Sequence, residues 1–191
     1  MGDVAMSSLR LQRTPLTGLT VITTAPITDE RGQFVRIFCE AEMSHFRPGL
    51  HFTQINVSTT RRSGTIRGMH FQRPPMAEAK LIRCLRGRVF DVAIDLRVGS
   101  PTFLSWHGIE LSENDPTQIF IPEGFAHGFQ AITDDVQLLY MHTAPWSQEH
   151  ESGLRPDDPT LAIHWPLAAT QLSERDRSRP LLDDSFTGIQ L

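Results

Sequence analysis

The stretch Arg88-Val-Phe-Asp-Val-Ala-Ile-Asp-Leu96 is the clearest β-strand in this sequence of 191 residues. Its apolar side chains recur at every second position, the period of a strand with one buried face; they are Phe90, Val92, Ile94 and Leu96. The opposite face is less apolar because it carries Asp91 and Asp95. These two acids either face solvent or line a polar cavity inside the fold, and the sequence leaves both interpretations open.

Short runs of strand-forming residues continue on both sides, and turn residues such as Ser63-Gly64 and Pro122-Glu-Gly124 separate them. Many short strands with turn signals between them predict an all-β sandwich or barrel. The other strands that we expect are Leu19–Thr23, Gln33–Cys39, Phe52–Thr59, Thr65–Phe71, Lys80–Leu85, Ser105–Leu111, Gln118–Ile121, Ala126–Ile132 and Val136–Thr143. Two short peripheral helices are expected, Glu40–Phe46 and Ser173–Arg179, with Ser173 as the cap of the second.

Composition excludes several classes of protein. The net charge of −4 gives no basic field that would attract nucleic acid. No apolar run approaches the roughly 20 residues of a membrane-spanning helix. The first ten residues contain no apolar signal core, so we expect a cytoplasmic protein. No linker or internal repeat interrupts the chain, which predicts one domain over residues 1–191, with the tail from about residue 146 wrapping the barrel.

Lysine and tyrosine, two residue types whose side chains can donate a proton, each occur once in this sequence. Of the 18 basic residues counted as Lys and Arg, Lys80 alone is a lysine, and Tyr140 is the one tyrosine. Arginine cannot serve as a titratable amine, and phenylalanine cannot donate a proton. Either codon bias has left one chance survivor of each type, or both side chains are retained for their chemistry.

Two motifs place histidines in strands of the expected barrel. Pro122-Glu-Gly-Phe-Ala-His127 resembles the P-x-G-x-x-H signature of cupins, and Gly64-Thr-Ile-Arg-Gly-Met-His70-Phe-Gln72 has a glycine at the cupin position. A metal-binding cupin needs a second histidine two residues after the first, and Gln72 stands there. A neutral amide is a poor ligand for a transition metal. We therefore expect no metal, which leaves His70 free to act as a base.

The ordered string of motifs resembles the dTDP-4-dehydrorhamnose 3,5-epimerase family, from about Asp29 to about Pro180. No single motif is specific to this family, but the order in which the motifs occur along the chain is specific to it. The motifs that carry the resemblance are Arg67-Gly-Met-His-Phe-Gln72 and the residues that follow to Arg97, Ser100-Pro-Thr-Phe103, Ile121-Pro-Glu-Gly-Phe-Ala-His-Gly-Phe129, Asp158-Pro159, His164-Trp-Pro166 and Leu172-Ser-Glu-Arg-Asp176.

The resemblance implies a fold, a substrate and a set of site residues. The fold is a cupin-like jelly-roll β-barrel, in a homodimer that exchanges N-terminal strands, and the substrate is a nucleoside-diphosphate 4-keto-6-deoxy sugar. The matching catalytic residues are His70 as base, Asp176 as its carboxylate partner, Lys80 beside the developing enolate and Tyr140 as acid. The expected substrate-binding residues are Arg31 and Arg67 for the diphosphate, Gln54 and Asn56 for the nucleoside, and His127 and Trp146.

Epimerisation next to a ketone accounts for these residue types. A neutral imidazole near pH 7 suits proton abstraction, and a carboxylate partner fixes its tautomer and strengthens it as a base. A cationic amine stabilises the enolate oxygen in a site that excludes water. A phenol on the opposite face returns the proton, and the sequence therefore predicts no cofactor.

One register problem arises inside the first motif. Strict alternation along a strand places Arg67 and His70 on opposite faces of the sheet. A β-bulge at Gly68 would re-aim one of the two side chains.

Departures from the family pattern leave the specificity open. Arg36 stands where many members have an acid, Pro145-Trp146 replaces a tyrosine pair, and Gly153-Leu-Arg-Pro-Asp-Asp-Pro159 replaces G-I-x-W-D-D-P. These changes alter the pocket walls, but the four residues that match the catalytic residues of the family are all kept. The alternatives are a single-centre epimerase, a 3,4-ketoisomerase on a related sugar nucleotide, or a cupin that binds a sugar nucleotide without catalysis. A metal-dependent cupin oxygenase is disfavoured by Gln72.

Overall fold

Short strands make up most of the regular structure in the computed structural model, which describes residues 9–191. The predicted domain and strand exchange also involve residues 1–8, which lie outside the described part. The described elements, in chain order, are β1 (Leu9–Arg13), β2 (Thr20–Thr24), β3 (Ile27–Asp29), β4 (Gly32–Phe34), α1 (Glu40–Phe46), β5 (Gln54–Thr60), β6 (Ile66–Gln72), β7 (Lys80–Arg86), β8 (Arg88–Asp95), β9 (Trp106–Ser112), β10 (Thr117–Ile121), β11 (Phe125–Ala131), β12 (Val136–His142), β13 (Glu151–Gly153) and α2 (Glu174–Arg177).

Eleven of the thirteen described strands form two large antiparallel sheets, and β3 and β4 form a separate pair. One sheet has six strands in the order β1-β2-β10-β7-β12-β5, and the other has five in the order β13-β6-β11-β8-β9. Strands distant in sequence are neighbours in both sheets, which is the connectivity of a jelly roll. The prediction of an all-β, cupin-like jelly roll with short peripheral helices is confirmed. None of the helices within residues 9–191 is long and apolar enough to cross a membrane.

Both helices form where the sequence predicts them, and one predicted strand is wrong. Helix α1 has the predicted bounds, and Ser173 caps α2 by accepting a hydrogen bond from the backbone N–H of Asp176. The predicted strand Gln33–Cys39 ends at Phe34, in an exposed hairpin with β3. The following Ile37 and Phe38 pack instead against the apolar cluster beneath α1, so hydrophobic burial rather than strand pairing orders this segment.

Three apolar layers hold the sheets. The central layer lies between them and includes Val89, Ala93 and Phe129. A second layer covers the outer face of the five-stranded sheet, where Val92 and Ile94 of β8 meet side chains of the C-terminal segment. The third layer packs α1 on the outer face of the six-stranded sheet. The more apolar face of β8 therefore faces outward, and its less apolar face, which carries the two acids, faces the interior.

The bulge that the sequence suggests at Gly68 is confirmed by the pairing of β6 with β11. His70 pairs with His127 and Arg67 pairs with Phe129, so three steps along β6 match two steps along β11. The extra residue turns Met69 outward into the second apolar layer and leaves the side chains of Arg67 and His70 lining the same cavity. Gly68 has a φ of +131°, a region that favours glycine.

Replacing Gly68 with alanine should destabilise the protein through a steric conflict with the neighbouring strand. A Cβ at Gly68 would lie 2.5 Å from the Cα of Gly128, whereas at Gly32, which has a similar φ of +129°, nothing lies within 4 Å. We expect Gly68→Ala to lower the free energy of unfolding by about 1–3 kcal/mol more than Gly32→Ala, as overpacking does. Urea denaturation of both variants measures the difference, and equal losses would show that the bulge has room for a side chain.

Candidate active site

A cavity of about 920 Å³ opens between the two sheets at the polar end of the interior. Its walls come from strands of both sheets, and the segment that carries α2 closes one side. Eight of the ten residues that the sequence nominates line it; they are Asn56, Arg67, His70, Lys80, His127, Tyr140, Trp146 and Asp176. The barrel thus brings together residues more than a hundred positions apart.

His70 and Asp176 form a hydrogen-bonded pair at the wall of the cavity. The Nε2 of His70 lies 2.6 Å from Oδ1 of Asp176, whose side chain is nearly fully buried. Burial alone would raise the pKa of Asp176, but hydrogen bonds from His70, from Ser173 and from the backbone N–H of Gly68 hold that pKa below its ordinary value. An ionised Asp176 accepts the Nε2–H proton and leaves the lone pair of the ring on Nδ1.

Lys80 is a buried cation next to this pair. Its Nζ donates a hydrogen bond to the backbone oxygen of His70 at 3.2 Å and lies 3.1 Å from Oε1 of Glu78. The side chains of Lys80 and Glu78 are 7% and 5% exposed. A buried charge of this kind needs a partner, so Glu78 keeps the ammonium group of Lys80 inside the cavity wall.

Tyr140 lies on the sheet that faces His70. It belongs to β12 in the six-stranded sheet, whereas His70 belongs to β6 in the five-stranded sheet. Its ring meets that of His127 edge to face, with centroids 5.9 Å apart. Burial, reinforced by the negative charge of Asp91, raises the pKa of Tyr140 against the opposing effects of Ser58 and Arg67. The phenol is therefore held in its protonated, proton-donating form.

His127 is bound by Asp91, one of the two acids whose orientation the sequence left open. The Nε2 of His127 lies 2.8 Å from Oδ2 of Asp91, and Asp91 is fully buried. The other acid, Asp95, is also fully buried; hydrogen bonds from Arg97, Ser100 and Thr102 overcome its burial and lower its pKa to about 2. The interpretation that these acids face solvent is wrong, and Asp91 supports the cavity.

Gln72 ties two loops to the cavity wall. Its amide nitrogen donates to Glu78 and to the backbone oxygens of Met76 and Pro145, and its oxygen accepts from the backbone N–H of Ser147. These contacts hold the acid that partners Lys80. Within residues 9–191 no three His, Cys, Asp or Glu side chains are grouped as a metal site requires.

Two of the nominated substrate-binding residues lie outside the cavity lining. Arg31 is in the exposed turn between β3 and β4, where it pairs with Asp29 and its side chain is 86% exposed. Gln54 does not line the cavity either, but its side-chain oxygen accepts a hydrogen bond from the backbone N–H of Trp146, which does. Arg67 lines the cavity and donates to Thr60 and to the backbone oxygen of Thr59. Arg36, a departure from the family pattern, pairs with Glu42.

Sequence reasoning missed several residues of the cavity. Glu78 and His142 line it, as does Arg175, whose guanidinium binds Glu151 through two hydrogen bonds and has one nitrogen 3.5 Å from Nε2 of His70. Strand periodicity offered a signal for His142 alone, since it lies two residues after Tyr140 and therefore on the same face. Glu78 and Arg175 reach the cavity through pairings between segments that are distant in sequence, which strand periodicity does not reveal.

The geometry provides a base, a cation and an acid around one cavity. The His70–Asp176 pair and the Tyr140 phenol come from opposite sheets, and the ammonium group of Lys80 lies beside the base. Such an arrangement can remove a proton from carbon on one face, stabilise the resulting anion, and return a proton from the other face.

Comparison with known proteins identifies the family. The family model described as dTDP-4-dehydrorhamnose 3,5-epimerase matches residues 13–184. A protein of that name from Sinorhizobium fredii is 41% identical over 183 residues, which cover 95% of this chain and 94% of the relative. A dTDP-4-dehydrorhamnose 3-epimerase from Streptomyces niveus is 40% identical, over 93% of this chain and 86% of the relative.

A solved structure agrees with the family model. The crystal structure of dTDP-6-deoxy-D-glucose-3,5-epimerase from Legionella pneumophila, in complex with dTDP-4-keto-L-rhamnose, superposes with a TM-score of 0.88 at 36% identity. It covers 96% of this chain, which spans 98% of that structure's chain. Sequence match, fold and the residues gathered in the cavity lead to one conclusion: the chain belongs to the dTDP-4-dehydrorhamnose 3,5-epimerase family.

Proposed function

We propose that this protein is an isomerase that epimerises a nucleoside-diphosphate 4-keto-6-deoxy sugar at C3 and C5, in deoxysugar or surface-polysaccharide biosynthesis. One observation carries the proposal: a His–carboxylate pair and a protonated phenol face one cavity from opposite sheets, with a buried ammonium beside the base. Family membership over residues 13–184 supports the choice of reaction. The dTDP sugars in the names of the relatives indicate a thymidine nucleotide as substrate.

In the proposed mechanism His70 removes a proton from the carbon next to the C4 ketone. Asp176 holds the Nε2–H of the ring, so the lone pair on Nδ1 takes the proton, and the imidazolium that forms lies against a carboxylate. Negative charge moves onto the ketone oxygen, where the ammonium group of Lys80 stabilises it. Tyr140 then donates its proton to the opposite face of the carbon, which inverts the centre.

The remaining nominated residues hold the substrate. Arg67 supplies a guanidinium for the diphosphate, whose geometry suits planar paired donors. Trp146, which is 56% exposed at the rim, offers an aromatic face to the nucleoside, and Asn56 offers an amide. His127, fixed by Asp91, provides a ring N atom close to Tyr140 for the sugar.

Arg31 fits this scheme through a second subunit. In the described chain the β3–β4 hairpin projects Ile27 and Phe34, which are 69% and 63% exposed, away from the apolar layers. Apolar side chains of this size on an exposed hairpin favour a protein–protein contact. We propose a homodimer in which the N-terminal strands are exchanged and Arg31 reaches the diphosphate in the cavity of the partner.

Incubation with dTDP-4-keto-6-deoxy-D-glucose in heavy water tests the proposed function. NMR should show deuterium at C3 and at C5 and inversion of both carbons, without added cofactor and in the presence of a chelator. Deuterium at one carbon would identify a single-centre epimerase, and a ketone moved to C3 a ketoisomerase. Binding without any exchange would show a non-catalytic protein and would overturn the proposal.

The single tyrosine allows the ionisation of the acid to be measured directly. Because burial raises the pKa of Tyr140 from its ordinary value of 10.0, the phenolate absorbance should emerge only at higher pH. The raised pKa stabilises the fold below pH 10, and that stability is lost as the pH rises towards the folded-state value. A pH titration followed by absorbance and circular dichroism measures this; ionisation of the folded protein at or below pH 10 would contradict the raised pKa of Tyr140. Tyr140→Phe is the blank.

His70→Asn and Tyr140→Phe should fail at different steps. Without its base, His70→Asn should show neither exchange nor inversion. Tyr140→Phe keeps the base, so exchange of the substrate proton persists while inversion falls by about two to four orders of magnitude. His51→Asn, at an exposed position outside the cavity lining, is the control. Inversion by Tyr140→Phe at the wild-type rate would show that Tyr140 only lines the cavity and is not the acid.

Lys80→Arg should not restore function although it keeps the charge. The Lys80 side chain is 7% exposed and bound between Glu78 and the backbone of His70, a space that suits a compact ammonium rather than a wide guanidinium. Losing an oxyanion donor costs about 2.7–4 kcal/mol of barrier. We expect Lys80→Arg and Lys80→Ala to lose turnover by similar large factors.

A binding titration with the free nucleoside diphosphate separates catalysis from binding in these variants. Affinity should be mostly kept, since the arginines hold the diphosphate. Arg88→Lys, at an exposed pair with Glu110, is the matched control for an exchange of the two basic residues. Near-normal turnover in Lys80→Arg would show that charge alone matters at this position.

A further inference from the structure

His142 is a cavity residue to which the proposed mechanism gives no role. It follows Tyr140 by two positions on β12, so the two side chains share the interior face. Their rings are stacked, with centroids 6.0 Å apart and planes inclined by 10°. On the adjacent strand its register partner is Lys80. His142 therefore lines the same cavity as the proposed acid and the proposed cation, and it neighbours both.

The imidazole of His142 differs from the two other cavity histidines in having no carboxylate partner. His70 is bound by Asp176 and His127 by Asp91, whereas the ring nitrogens of His142 make no hydrogen bond to any residue in the described part of the chain. Burial, followed by the charges of Lys80 and His127, lowers the pKa of His142 to about 4. At neutral pH the ring is uncharged, so one nitrogen donates and the other accepts a hydrogen bond.

We propose that His142 is a specificity-determining residue that binds a ring hydroxyl of the sugar through its free imidazole nitrogens. The inference rests on the proposed function, because a 4-keto-6-deoxy sugar linked through C1 has hydroxyls only at C2 and C3. A hydroxyl group both donates and accepts, which matches an uncharged imidazole. Once a substrate that lacks this hydroxyl fills the cavity, it leaves the ring nitrogens unpaired, and sites of this kind discriminate strongly.

Three substrates and two variants test the inference. The substrates are the parent 4-keto-6-deoxy sugar nucleotide and its 2-deoxy and 3-deoxy analogues, and the readout is kcat/KM for deuterium exchange at C5, which all three share. The wild type should prefer the parent over one analogue by about 10- to 100-fold. His142→Phe keeps a ring beside Tyr140 and should reduce that preference to within about threefold. His142→Asn keeps a donor and an acceptor and should retain part of it.

The controls separate this inference from the proposed function. His51→Phe, exposed and outside the cavity lining, should leave the preference unchanged, and cooperative thermal unfolding of each variant shows that it is folded. Equal rates for all three substrates in the wild type, or an unchanged preference in both His142 variants, would overturn the role of His142 and leave the epimerase intact. Absence of exchange in the wild type with every substrate would overturn both proposals.

Discussion

The bulge at Gly68 is the constraint on which the site depends. One extra residue in β6 lets Arg67 and His70 line the same cavity, and Gly128 on the neighbouring strand leaves the space that the bulge needs. The backbone of Gly68 also helps to keep the pKa of Asp176 below its ordinary value. The same irregularity thus aims the proposed base and helps to keep its carboxylate partner ionised.

Carboxylate partners account for the polar end of the interior. Asp176 partners His70, Asp91 partners His127, and Glu78 partners Lys80, at distances between 2.6 and 3.1 Å. Buried ionic groups are costly unless they are paired and hydrogen-bonded. Each pair therefore fixes one functional side chain in place, and His142, which lacks such a partner, keeps both ring nitrogens available to a ligand.

The sequence predicts the sheets and most of the site, and its failures have physical causes. Alternation in Arg88–Leu96 locates β8 but cannot show that the C-terminal segment covers its more apolar face, so the orientation of Asp91 stays open until the chain is folded. Motif order nominates His70, Lys80, Tyr140 and Asp176, all of which line the cavity. The role of Arg31 stays a prediction, because in its own chain this residue lies in an exposed turn. The role of Glu78 as the partner of Lys80 can be recognised only from its contacts with Gln72 and Lys80 in the folded structure.

The central claim is that His70 removes the substrate proton because an ionised Asp176 holds its ring. The most direct measurement is the rate of deuterium incorporation into dTDP-4-keto-6-deoxy-D-glucose by Asp176→Asn, beside Asp157→Asn, an exposed control. The account predicts that Asp176→Asn loses exchange by about two to four orders of magnitude at both carbons, with affinity for dTDP retained and the control unaffected. Exchange by Asp176→Asn at the wild-type rate would contradict it, since the His–carboxylate pair would then have no part in proton abstraction.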